Sequence, residues 1–228
     1  MYGSSIAPVV VVLFLVIVGA LFWLPFFDQI SPLSMRAFFA QAPLFLAIFA
    51  PALTMGSLAS PARSGALQWM MTSPARAWEI ALGKILASWS LVCVACGLTL
   101  SYPVSLAILG ARQGVDLDLG AVLAGYIGLV MLGGAYSAIG VMASSFTKDQ
   151  VVALLSSFTS CFTLFMLDRF VLLAEPDSAL RHLAALSSSH HFQSIARGVL
   201  ALSDLVYFLS VMILSWSIAS LGIERWRQ

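Results

Sequence analysis

Six long apolar runs limit what this chain can fold into, because each approaches the roughly 20 residues that one helical crossing of a bilayer needs. They lie at about 8–27, 38–59, 79–109, 120–145, 151–174 and 205–222 of the 228 residues. Six crossings take about 120 residues, which leaves short loops and one longer extramembrane stretch. Hydrophobic residues make up 61% of the chain and charged residues 9%. A soluble surface draws on about 25% charged residues, so this sequence could not build one. The expected architecture is all-α: a polytopic membrane protein whose residues 1–228 form one transmembrane domain. The first run has no basic flank and no small-residue cleavage site, and it reads as a retained span, not a signal peptide.

Several chemistries drop out on residue type alone. A net charge of +1 gives no reason to expect nucleic acid. Cys93, Cys96 and Cys161 lie inside apolar runs, so Cys93-x-x-Cys96 reads as packing and not as a redox pair. No Gly-x-x-x-x-Gly-Lys-Ser/Thr loop is present, and Gly83-Lys84 lacks the preceding glycine. The chain should therefore bind no ATP or Mg itself. An intramembrane serine protease needs a serine and a histidine on facing spans. Ser137 is available, but His182, His190 and His191 all fall in one segment between the fifth and sixth runs. His190-His191 is a weak metal pair with no cysteine or carboxylate set beside it, and a solvated or interfacial position is expected for both. Asp168 and Arg169 sit in the last third of their run, where long side chains reach the interface.

Local signals mark several helix starts. Ser31-Pro32 and Ser73-Pro74 each pair a cap with a first-turn proline. Thr147 to Gln150 matches a capping box, and Ser203-Asp204 a further cap. Pro43 and Pro51 should kink or break the second span, and Tyr102-Pro103 should disturb the far end of the third. The fourth run carries small residues four apart, including Ala121/Gly125, Ala124/Gly128, Gly133/Ser137 and Gly140/Ser144. Lipid supplies no hydrophobic drive between helices, so such residues matter by letting backbones approach. They fit packing within one subunit, a subunit interface or a substrate path. Phe192, Ile195 and Val199 recur at helical spacing, which suggests a short interfacial helix ending near Gly198.

The connector from Arg63 to Glu79 is the least span-like part of the chain. Arg63 to Met71 can form two helical turns that expose Leu67, Trp69, Met70 and Met71 beside a cationic start. Such a surface suits either an amphipathic helix among headgroups or a knob seated in a partner, since Trp and Met favour interface cores. With both termini cytosolic, the inner side holds Arg63, Arg76, Lys84, Lys148, Arg225 and Arg227, against Arg36, Arg112, Arg169, Arg181 and Arg197 outside. That is a slim vote under the positive-inside rule.

In order along the chain come Ser5-Ile-Ala, Pro51-Ala-Leu-Thr-Met55, Arg63-Ser-Gly65 with Thr72-Ser-Pro74, and Glu79 to Lys84. Tyr102-Pro103, Gly125-Tyr-Ile-Gly-Leu129, Ala138-Ile-Gly140 with Ser144-Ser-Phe-Thr147 and Gln150, and His191-Phe192 to Arg197-Gly-Val199 follow. With these blocks the sequence resembles the permease subunits of type-2 ABC export systems, most closely the gliding-motility-associated subfamily. The resemblance implies a six-span half-transporter in a bacterial inner membrane, paired with a second permease subunit and a separate ABC ATPase. It makes the connector a cytosolic coupling helix, with Arg63, Gly65, Leu67, Trp69, Met70 and Met71 as its seat. Gly125, Gly128, Gly133, Ser137 and Gly140 become helix or subunit packing positions, and about 177–198 becomes short outer-leaflet helices. Relatives carry an acidic pair before the arginine and a Thr and Glu after the glycine. Here Ser60-Pro61 or Pro61-Ala62, Ala66 and Gln68 stand instead. Relatives also carry a basic amphipathic helix before the first span, whereas the sequence here enters its first apolar run at about residue 8. A nucleotide-independent channel or scaffold is the alternative reading.

Overall fold

One helix organises the bundle, and its sequence says why: glycine, alanine and serine recur along it, so neighbours can close on its backbone from several sides. The computed structural model describes residues 6–27, 35–66, 76–113, 118–173 and 185–226. Its helices, in order, are α1 (Ile6–Phe27), α2 (Arg36–Thr54), α3 (Ala59–Ser64), α4 (Ala77–Leu98), α5 (Ser101–Gln113), α6 (Leu119–Ser145), α7 (Gln150–Leu173), α8 (Ser188–Ala196) and α9 (Leu202–Arg225). No strand occurs among the described residues. Helix α6 is the hub and packs against α2, α4, α7, α8 and α9, while α1 packs on α2 and α4.

Among the described residues, five stretches are long and apolar enough to cross a membrane: Phe38–Ser64, Ala77–Leu109, Leu119–Ser145, Gln150–Arg169 and Leu202–Arg225. The described apolar part of α1, Pro8–Ala20, is shorter. The protein is thus a multi-pass helical membrane protein. Most of α6 is buried inside the bundle and most of α7 is not, which makes α6 the centre and α7 the rim.

Prolines shape the helices less severely than their number suggests. Helix α2 runs through Pro43 and Pro51 without interruption, so of the expected kink or break the break does not occur. The third apolar run does divide: α4 stops at Leu98, and α5 restarts at Ser101 with Pro103 in its first turn. Proline has no N–H to return to the carbonyl four residues back, which here is that of Thr99. That carbonyl instead accepts from the Tyr102 amide (3.0 Å) and from the Tyr126 hydroxyl on α6 (2.8 Å), so the break is satisfied locally and from a neighbouring helix.

Three expected helix starts take a different form. Thr147 Oγ1 accepts from the Asp149 amide (3.0 Å), and the Asp149 carboxylate accepts from the Val151 amide (2.8 Å). Asp149 therefore caps α7, and the Thr147–Gln150 box does not form. Helix α9 begins at Leu202 after Ala201, without a side-chain cap; Asp204 lies inside the first turn, where the His191 ring claims it at 2.7 Å. Arg76 is extended (ψ 152°), and α4 begins only at Ala77, with the Glu79 carboxylate accepting from the Arg76 amide (2.9 Å). No helix therefore runs through from Ser73 into the third span. Ser31-Pro32 and Ser73-Pro74 lie outside the described residues.

Candidate functional site

The end of the bundle that carries the connector is fastened by side chains from four helices. Helix α2 ends at Thr54, the turn Met55–Leu58 follows, and α3 starts at Ala59. Ser144, in the last turn of α6, sits against that turn. Its hydroxyl accepts from the amides of Leu58 (3.1 Å) and Ala59 (3.0 Å) and donates to the Met55 carbonyl (3.0 Å). A serine hydroxyl has one hydrogen and two lone pairs, so all of its capacity is spent here, on two of the orphan N–H groups that open a helix. A few residues on, the Gln150 side chain at the start of α7 donates to Ser60 Oγ on α3. The end of α9 closes the same face. Trp226 Nε1 donates to the Ser145 carbonyl (2.8 Å), Lys148 lies 5.0 Å from the Trp226 ring centroid, and Arg225 lies 5.6 Å from that of Phe146.

Arg63 is exposed in the last turn of α3, and Gly65 ends that helix in the left-handed conformation (φ +76°). A β-carbon is disfavoured there, which gives the glycine a local backbone reason. One helix running from Arg63 to Met71 is therefore not formed: Arg63 closes α3, and helical conformation resumes only at Ala66. Leu67, Trp69, Met70 and Met71 lie outside the described residues.

The small residues of α6 face specific neighbours within the chain. The Gly125 backbone meets the ring of Phe39 (α2), Gly128 meets Phe192 and Ile195 (α8), Gly133 meets Val92 (α4), and Gly140 meets Thr54 (α2). Ser137 is fully buried, and its hydroxyl has no partner among the described residues. Among the described residues there is no group of His, Cys, Asp or Glu able to hold a metal, and all three cysteines are free thiols.

Helix α8 and its histidine depart most from expectation. Instead of lying in the interface, α8 runs antiparallel beside α6: Gly198 abuts Ala121, Phe192 and Ile195 cover Gly128, and Ser188 Oγ meets the Tyr136 hydroxyl at 2.7 Å. Phe192 and Ile195 are fully buried, whereas Val199 is exposed. His191 is not solvated. Its Nδ1 lies 2.7 Å from Asp204 Oδ1, its Nε2 lies 2.8 Å from the Ala185 carbonyl, and its ring stacks on Tyr207 at 4.2 Å. A carbonyl only accepts, so Nε2 is the donor to Ala185. Sequence spacing missed this pair because its partners stand 13 residues apart on two helices.

Residues 31–223 match the family model described as ABC-2 family transporter protein. The chain belongs to the ABC-2 transporter family. The match runs from just before α2 into the last turn of α9, so the hub, the fastened turn and α8 all fall inside the ABC-2 region. No curated protein matches the sequence. An ABC-2 protein is the membrane component of an ABC system and is not itself the catalytic one, and such components generally act with an ABC ATPase.

Proposed function

We propose that this chain is an ABC export permease subunit whose connector receives force from a separate ATPase and passes it to the spans. The observation that carries the reading is α3: a short helix with exposed Arg63 in its last turn and a left-handed Gly65 at its end, bonded at its base to α6 and α7. A loop that only joined two spans would need no such fastening. Trp69, Met70 and Met71 would form the docking core with Leu67 beside them, oriented by Arg63. Acidic residues are missing from this seat, so apolar contact would supply most of the hold. ATP and Mg would be bound by the partner. ATP-driven closure there would tilt the spans as rigid bodies, provided the ATPase holds the two permease states with unequal affinity.

In this reading α1 supplies a sixth crossing, both termini are cytosolic, and the subunit works in a bacterial inner membrane beside a second permease subunit, identical or related. The gliding-motility association rests on the ordered sequence blocks and extends to mechanical work as well as export. The test is co-purification of the ATPase encoded with the chain from detergent extracts. Changing Trp69 and Met70 together to Asp should release it, and undiminished recovery would defeat the docking role. Absence of any ATPase beside the wild-type chain would favour the nucleotide-independent channel or scaffold.

A further inference from the structure

We infer that Ser144 and Gln150 are positioning residues that lock α3 to the α6–α7 corner, so that displacement of the connector moves α6 and α7 and is not absorbed in the turn below α2. This role rests on the exporter reading above. The turn Met55–Leu58 holds Gly56 and separates two helices, and an unfastened turn of that kind is where a push on α3 would be lost as bending.

Two attachments oppose that loss. Ser144 bonds both sides of the turn, taking the Met55 carbonyl before it and the Leu58 and Ala59 amides after it, at 3.0 to 3.1 Å. It is 1% exposed, so water does not compete for these bonds. Gln150 holds α3 at a second point through Ser60, and its side chain packs beside the turn at Gly56. One point of attachment allows pivoting; two, on different helices, do not. Beyond the joint α6 is the most enclosed of the candidate spans, packed on five neighbours and closely approached at Gly140 by Thr54. The Ser145 side chain also abuts Gly222, which ties α9 to the same corner.

The test has two arms. In the purified full-length chain, Ser144→Ala should raise amide exchange at Leu58 and Ala59 by about tenfold or more, while the amides of α9 keep their protection. In the complex with the ATPase, a cysteine replacing Thr163 on the exposed face of α7 reports movement through its maleimide labelling rate with and without ATP. Ser144→Ala and Gln150→Leu should each cut the ATP-dependent change about threefold or more, with ATPase recovery unchanged. Gln150→Glu, which can accept from the Ser60 hydroxyl, should restore it. Ser60→Ala should match Gln150→Leu, and the two combined should lose no more than either alone. Should Ser144→Ala fail to fold, the Gln150 and Ser60 variants decide. Exchange at 58–59 that Ser144→Ala leaves unchanged overturns the joint. A full ATP response in the variants overturns its role in transmission. Failure of the wild-type chain to bind any ATPase instead overturns the exporter reading, and this role with it.

Discussion

At single positions the fold turns on glycines whose hydrogen is the only group that fits. Gly140 is the sharpest instance, because the Thr54 side chain fills the space a β-carbon would take. Gly140→Ala should therefore destabilise the detergent-solubilised protein by about 1–3 kcal/mol, the usual cost of overpacking a filled site. Thr54→Ala empties that space and should return most of the loss. Thermal unfolding of the two single variants and the double measures this; equal losses from Gly140→Ala in both backgrounds would show that the contact is not the cause. The spacing of small residues in α6 was legible in the sequence, since close approach in lipid calls for them. Which neighbour each would meet was not, because that depends on partners distant in the chain, such as Thr54, 86 residues before Gly140.

Helices whose partners are local were easy to read, and those held by distant side chains were not. Residues 119–145 and 150–173 follow the expected fourth and fifth runs to within about two residues, because continuous apolarity and flanking polar turns fix their ends. The caps at Asp149 and Asp204 were misread, since several residue types near a helix start can cap, and competing contacts choose among them. Position 103 offers a test of this kind. Tyr126→Phe leaves the Thr99 carbonyl with the Tyr102 amide alone and should cost about 0.5–1.5 kcal/mol in thermal unfolding. In a Pro103→Ala background the regained N–H can serve that carbonyl, so the same change should cost less. A cost that stays the same would separate the tyrosine from the proline break.

For the molecule as a whole, the division between buried α6 and peripheral α7 bears on where a second copy would sit. Helix α7 turns Ser156, Thr159 and Thr163 outward among apolar residues, and the first two hydroxyls bond back to their own helix at 2.8 Å. A helix neighbour suits such a face better than lipid chains do. Cysteines placed at Thr159 or Thr163 should form disulfide-linked dimers in native membranes under mild oxidation, whereas Leu123 on the outer face of α6 should not. Linking at Leu123 with none on α7 would move the interface. Class and span positions were open to sequence reasoning because bilayer thickness dictates run length. The connector seat, Leu67 to Met71, was reached only through family likeness, because an apolar cluster outside the bilayer has the same pattern whether lipid or protein covers it.

The course of α8 also fixes an order of events during biosynthesis. Its entry is held by groups made later: Tyr207 donates to the Leu186 carbonyl at 2.7 Å, and Asp204 grips His191. Until α9 has been made, those polar groups lack the partners that satisfy them. This corner of the fold can therefore close only after residue 207 has been made, and a nascent chain halted before residue 202 should leave His191 open to chemical modification.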